Sequence, residues 1–219
     1  AVIAEQTPVI DIIAQDRQVV GVTVSHQGKS MDLHAPRVLN VTGPWSNQFA
    51  QLDSPTSPPL VAPTKGVHLV VKSLPIPHAL TLQTPQDRRV FFILPWRGQT
   101  LIGTTDTPFH GNPDTVSVTD DDIDYLLDAC NAYITTPIHR SDIVDQFAGL
   151  RPLQYSNRGT SKRTRDFVCT QSKQGLFHMV GGKYTAYRYM AEVALDTLLD
   201  HQPYRTPLRP CVTATTPLP

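Results

Sequence analysis

The sequence predicts an α+β protein. Short β-branched or alternating runs, separated by polar turns, fill Val9–His34 and again Gly66–Thr104, the pattern of two sheets built largely from hairpins. Two further segments, one opening at Thr119 and one near Thr185, carry apolar residues at helical spacing.

Taken in order, Val9–Ala14, Val19–Ser25 and Met31–His34 read as a three-stranded antiparallel meander, with turns at Gln15–Gln18 and Gln27–Ser30. After Pro36, the compact run Val38–Val41 suits a buried strand; it ends in Thr42-Gly43-Pro44-Trp45, and a helix follows at Ser46–Gln51. A strand ending in Thr-Gly before a helix makes the kind of crevice where α/β sheets hold ligands. Asp53–Pro63 holds four prolines among Ser and Thr, so the chain is expected to loop and divide there. Gly66–Val71, Ala79–Thr84, Arg89–Trp96 and Gln99–Thr104 form a second sheet, with a hairpin at Trp96–Gln99. Thr119 is placed to cap the next helix with its hydroxyl, Asp122 follows three residues on, and Asp120 and Asp121 suit the positive end of the dipole. Ile123, Leu126, Leu127, Cys130 and Ile134 line one face of that helix. Ile143–Leu150 leads into Arg151-Pro152-Leu153, and beyond a basic loop lie two strands, Asp166–Gln171 and Leu176–Val180. The last helix, 185–201, turns Tyr187, Met190, Ala191, Ala194, Leu195, Leu198 and Leu199 to its buried side, and a Pro- and Thr-rich tail, extended or poorly ordered, runs from 203 to 219.

Composition narrows the function classes. With 219 residues, 40% hydrophobic and 17% charged, and a mean hydropathy of -0.21, the chain can bury one large core or two small ones. Lys+Arg and Asp+Glu both number 19, so no global field draws nucleic acid or an anionic membrane, and any anion site must be local. Cys130, Cys169 and Cys211 are odd in number and lack metal-ligand spacing, which points to packing residues in a reduced, cytoplasmic compartment. The longest apolar runs, Val67–Val71 and Val90–Leu94, are too short to cross a bilayer. The chain opens on Ala1 with a segment that reads like the middle of a domain, so either processing or a piece cut from a longer protein is expected. There is no Gly-x-Ser-x-Gly elbow, His-Glu-x-x-His or Walker loop, and the eight histidines lack ligand spacing, which disfavours a serine hydrolase or a metal site.

The remaining signal is cations beside glycines and strand ends: Lys65, His68, Arg151, Arg165 and Lys183. The densest stretch is Leu176–Arg188, where an apolar run stops at Gly181-Gly182 and a helix begins beyond Lys183. Glycines there allow positive φ and close approach to the main chain, and the orphan N–H groups of a first helical turn favour negative charge. Each feature singly also suits an ordinary surface charge or a tight strand-to-helix turn.

As a set, these stretches resemble a family. Lys65-Gly66-Val67-His68, Phe91–Trp96, Leu101–Pro108, Phe147–Leu153, Thr164-Arg165-Asp166 and Gly181–Thr185 are similar, in order, to the motifs of FAD-dependent glycerol-3-phosphate dehydrogenases, within the larger D-amino-acid-oxidase-like flavoproteins. The resemblance implies an α/β flavin-domain remainder at 1–52 and 145–201, an antiparallel cap at 53–144, and a tail at 202–219. It implies oxidation of sn-glycerol 3-phosphate to dihydroxyacetone phosphate, with hydride passing from C2 to flavin N5 and electrons going on to a quinone.

By the same resemblance Arg151 and Arg165 hold the phosphate, guanidinium forks being suited to a dianion. His68 takes or hydrogen-bonds the C2 hydroxyl proton, and Lys183 stabilises charge beside flavin and substrate. Main-chain groups of Gly181, Gly182, Lys183, Tyr184 and Thr185 face the flavin, and Thr42-Gly43 lies beside the FAD. A cytoplasmic protein, possible peripheral association with the inner membrane face and no nucleic-acid partner complete the expectation. The chain departs from the family pattern in lacking a Gly-x-Gly-x-x-Gly turn, in Tyr184 and Ala186, and in a shortened basic loop at 157–163. It is therefore expected to bind FAD weakly or not at all and to be inactive alone. Other amine or 2-hydroxy-acid oxidases of the wider family, and a cofactor-free binding domain, are the alternative readings.

Overall fold

In a computed structural model, which describes residues 2–156, 166–200 and 210–216, the first strands form the meander that their alternation requires. β1 (Val9–Gln15), β2 (Gln18–His26) and β3 (Lys29–His34) pair antiparallel in that order. Val9, Ile12, Val19 and Val22 gather on one side with Phe49 and Leu176, while β3 stays exposed along its length. A short strand, β4 (Leu39–Asn40), then enters a 3₁₀ turn at Gly43–Trp45 and helix α1 (Ser46–Asp53), which supplies Phe49.

The described residues form two compact units, one from 1–62 and 152–219 and one from 63–151. The sequence reading instead divides the chain at 53 and 145. Hydrogen bonding accounts for the difference. The Pro-rich loop stays with the first unit, because Ala62 N–H bonds Leu153 O (2.8 Å) and Tyr155 N–H bonds Leu60 O (2.9 Å).

The second unit is a sheet backed by one helix. Its strands are β5 (Thr64–Val71), β6 (Leu80–Gln83), β7 (Val90–Trp96), β8 (Gln99–Gly103), β9 (Thr107–Pro108) and β10 (Ile143–Arg151). They lie in the order β10-β5-β8-β7-β6, all antiparallel, with the short β9, which the sequence reading did not anticipate, added to β5. Successive side chains of a strand point to opposite faces. Val67, Leu69 and Val71 of β5 therefore share a face with Phe91, Ile93 and Ile102, and helix α2 (Asp120–Asn131) covers it with Ile123, Leu126 and Cys130. Each such side chain contributes roughly 1.5–3 kcal/mol by leaving water. Ile134 lies beyond the end of α2 but still packs on this core.

The start of α2 carries the expected capping box, with the Thr119 side chain accepting from the Asp122 backbone and the Asp122 carboxylate accepting from the Thr119 N–H. The Thr119 hydroxyl donates to the Asp122 carboxylate (2.7 Å), which also accepts from Thr119 N–H (3.0 Å) and from Lys65 Nζ. Burial pushes the Asp122 carboxyl up, but the bonds from Lys65 and Thr119 outweigh it and hold the group below the usual carboxylate range. Lys65 is thereby a structural partner on the helix-covered side. Cys130 is fully buried and its thiol is pushed up to about 11 by burial, as suits a packing residue, whereas Cys211 is exposed.

The chain returns to the first unit through β11 (Phe167–Gln171) and β12 (Phe177–Gly181), and α3 (Tyr187–Asp200) follows. β12 runs antiparallel to β11 and parallel to β4, pairing Phe177 with Leu39 and His178 with Asn40. The expected buried face of the last helix is corrected here: only Ala194 is buried, while Tyr187 (60%) and Leu195 (57%) are exposed and Ala191 is open to solvent. Too few described elements pack on α3 to use that stripe. In the tail, residues 210–216 include a turn in which Thr215 and Thr216 N–H bond Val212 O at 3.0 Å; the expectation of an extended arm otherwise falls outside the described residues.

Replacing Asp122 with Ala strips the cap from α2 and leaves Lys65, only 12% exposed, without its counter-charge. Urea unfolding is expected to register a loss of about 3 kcal/mol.

Candidate active site

The second face of the six-stranded sheet carries the chemistry that the first does not. His68 follows Val67 in β5 and so points away from α2, as do Gly66 on β5, Phe147 and Arg151 on β10, and Gly103 on β8. His68 lies opposite Phe147 on one side and Gly103 on the other. Its ring stacks on Phe147, centroids 5.1 Å apart and planes 12° from parallel. Arg151, at the end of β10, donates from Nη2 to Thr104 Oγ1 (2.9 Å) and from Nη1 to Thr105 O (3.2 Å), with Asp106 Oδ1 3.5 Å from Nη1. The guanidinium is thus aimed by a fixed carbonyl and hydroxyl, while a carboxylate supplies counter-charge at a longer distance.

Charge follows from this packing. Burial, and after it the Arg151 cation, hold the His68 imidazole below its ordinary value. At neutral pH it is an uncharged ring, able to accept a proton. Its Nδ1 is buried and has no hydrogen-bond partner among the described residues, a costly state unless another group completes it.

In the first unit most of the expected cofactor-side residues gather around one cavity of about 450 Å³, walled by Leu39, Val41, Gly43, Gly181, Gly182 and Lys183 with Tyr184 of the following 3₁₀ turn and Tyr187 and Met190 of α3. Gly181 (φ 81°) and Gly182 (φ 89°) hold left-handed backbone, which ends β12 and swings the chain into a 3₁₀ turn at Tyr184–Ala186. A methyl at Gly182 would also stand 2.6 Å from Met190 Cε. Lys183 is exposed and Tyr184 is 91% exposed. Gly182 N–H is already taken by Asp166 O (3.0 Å), so among the glycine-turn amides expected to face a ligand this one is occupied. Thr185 is exposed and is not part of the cavity wall.

The strand-end turn opposite is held from within. Asn40 donates through Nδ2 to His178 Nδ1 (3.1 Å) and to Ser46 O (3.3 Å), while its Oδ1 accepts from the Thr42 N–H (3.0 Å) and hydroxyl (2.7 Å). Thr42 thus serves the turn, and Gly43 faces the cavity with open space where a side chain would begin. Apolar walls, a side-chain-free turn and a neighbouring ammonium suit one side of a flat, apolar ring system with a polar edge, as in a flavin.

Arg165 lies outside the described residues. Of the others, the structure brings His68 and Arg151 together in one unit and Gly43 and Gly181–Tyr184 together in the other. The sequence reading missed Gly66, Gly103, Thr104, Thr105, Asp106 and Phe147 as site neighbours. Strand alternation from His68 marks Gly66, and counting register back from the Trp96–Gln99 hairpin marks Gly103 opposite Phe92.

Comparison with known proteins adds the family. The FAD dependent oxidoreductase family matches residues 1–191. A mitochondrial glycerol-3-phosphate dehydrogenase of Arabidopsis thaliana is 30% identical over 224 residues, covering 97% of this chain and 35% of its own length. A glycerol-3-phosphate dehydrogenase of Mycobacterium leprae is 35% identical over 208 residues, covering 94% of this chain and 36% of its own. Among solved structures, the glycerol-3-phosphate dehydrogenase from Bacillus halodurans complexed with FAD superposes with a TM-score of 0.79 at 31% identity, over 89% of this chain and 38% of that one. The chain spans about a third of the length of these curated relatives.

Two imidazoles, His178 buried and His68 half-buried, predict how stability follows pH. Burial lowers His178 as it lowers His68, with Asp53 opposing the effect only in part. Unfolded imidazoles take up protons near pH 6.5, where the folded ones still refuse them. Stability is therefore flat above about pH 6.5 and falls as the pH drops below it. Urea midpoints measured from pH 7.5 to 5 should follow that course, and His178→Gln should make the fall shallower.

Proposed function

This chain belongs to the FAD dependent oxidoreductase family, and on that premise we propose that it forms the substrate-holding sheet and one flavin-side wall of an enzyme oxidising sn-glycerol 3-phosphate to dihydroxyacetone phosphate. The observation that carries the reading is the pairing of a fixed guanidinium, Arg151, with a neutral imidazole, His68, whose Nδ1 has no partner among the described residues. A phosphorylated alcohol needs both: a cation for the dianion and a base for the hydroxyl. The names of the relatives, glycerol-3-phosphate dehydrogenases at 30% and 35% identity, support the same substrate.

Arg151 binds the phosphate in this reading, with Arg165 as a second guanidinium assigned from its motif alone. His68 accepts the proton from the C2 hydroxyl as the C2–O bond becomes a carbonyl. FAD, when bound, supplies the acceptor for the C2 hydrogen and its two electrons. Gly43, Gly181 and Gly182 leave room for the ring system, and Thr42 sets the turn beside it. Lys183 and the main chain of Tyr184 would supply positive charge and donors to the polar edge of the flavin, and Thr185, outside the cavity wall, is assigned to it from its motif alone.

Motif resemblance supports onward transfer of electrons to a quinone and a cytoplasmic site peripheral to the inner membrane face. No helix among the described residues is long and apolar enough to cross a membrane. The pyrophosphate-binding glycine turn of the family is absent from these 219 residues, which supports weak FAD binding by the chain alone. Stoichiometric flavin absorbance in the purified chain would contradict that part.

Two variants test the substrate roles. Arg151→Ala should weaken sn-glycerol 3-phosphate binding about 100-fold in a calorimetric titration, the loss of about two charge-assisted bonds. His68→Ala, in the FAD-loaded enzyme that carries this chain, should lower dye-linked kcat by roughly 10²–10⁴-fold. Because His68 is held below the ordinary imidazole value, the acid limb of the kcat/KM profile should lie below about pH 6.5.

A further inference from the structure

We propose that Gly66 and Gly103 are positioning residues for this site, two side-chain-free hollows in adjacent strands into which the Arg151 guanidinium and the His68 ring fold. The proposal rests on the reading of Arg151 and His68 as the substrate-holding pair, and adds what sets their positions.

On a pleated face, neighbouring side chains stand roughly perpendicular to the sheet, with opposite Cβ atoms about 5 Å apart. A long side chain can lie flat across the next strand only where that strand presents no Cβ. The sheet does this twice. A methyl on Gly66 would stand 2.6 Å from Arg151 Nη1 and 2.7 Å from its Cζ. A methyl on Gly103 would stand 2.7 Å from His68 Nε2 and 2.8 Å from Cγ. Both glycines are buried, although they lie on the face away from α2. Gly149 is the internal comparison. It sits directly opposite Gly66 on β10, is exposed, and has nothing within 4 Å of where its Cβ would be.

None of these residues is held in left-handed backbone, so alanine is conformationally acceptable at all three. At Gly66 the atoms displaced are the far end of a flexible side chain, so the fold should survive while the guanidinium moves. At Gly103 the ring must turn out of its stack on Phe147. The two hollows thus fix the directions of a phosphate-binding cation and a proton acceptor independently of each other.

The test uses the chain itself, with side-chain NMR and inorganic phosphate as the anion probe. Gly103→Ala should release the ring from its half-buried stack on Phe147, so that the His68 titration midpoint rises toward the ordinary imidazole value, while phosphate affinity changes less than about twofold. Gly66→Ala should shift the Arg151 Nε resonance and weaken phosphate binding about tenfold or more, in line with one lost charge-assisted bond. Gly149→Ala should leave both resonances in place. An unchanged His68 midpoint in Gly103→Ala, an unchanged Arg151 signal in Gly66→Ala, or loss of the fold in either would overturn the proposal. Because these resonances are read without ligand, absence of phosphate binding in the unmodified chain would count against the substrate reading alone.

Discussion

The pleat of β5 is the constraint on which the second unit depends. Held between β10 and β8, the strand cannot rotate, and a shift of one residue would exchange its faces. One face, Val67, Leu69 and Val71, is fully committed to the core under α2. That commitment leaves Gly66 and His68 on the opposite face, where Arg151 and Phe147 reach them from β10. Hydrophobic burial thus sets the register, and the register delivers the chemistry. Lys65 illustrates the division: one residue from Gly66, it faces the other way and is spent on the α2 cap through Asp122.

In the first unit the corresponding constraint is the pairing of β4 with β12. It sets Asn40 beside His178, and that buried pair holds the turn at Thr42-Gly43, while β12 ends at the two glycines that start the next turn. Both turns belong to ends of parallel neighbours, the place where α/β sheets leave a crevice. The exposed Tyr184, Tyr187 and Leu195 give that crevice an apolar wall without a core behind it.

Much of this was legible in the residues. The meander, the hairpin at Trp96–Gln99 and the acidic start of α2 announce themselves through alternation, turn residues and capping chemistry. His68 and Arg151 are marked by the company they keep in sequence, and strand register sets both on the same face of the sheet. Other features were not legible, each for a physical reason. β9 spans only Thr107–Pro108, too short to show a period. The apolar stripe of α3 suggests burial, because periodicity reports an apolar face and not whether anything covers it. Gly66 and Gly103 look like turn or flexibility residues in a sequence, and only cross-strand register reveals which side chain lies over each.

The substrate proposed for the second face of this sheet is a phosphorylated alcohol, with Arg151 for the anion and His68 for the hydroxyl. The most direct measurement is the ring resonance of His68 in the chain, followed while sn-glycerol 3-phosphate, sarcosine or glycolate is added. A site of the kind described should move that resonance saturably with glycerol 3-phosphate and leave it nearly still with the other two. An equal response to sarcosine or glycolate, or no response to glycerol 3-phosphate, would contradict it.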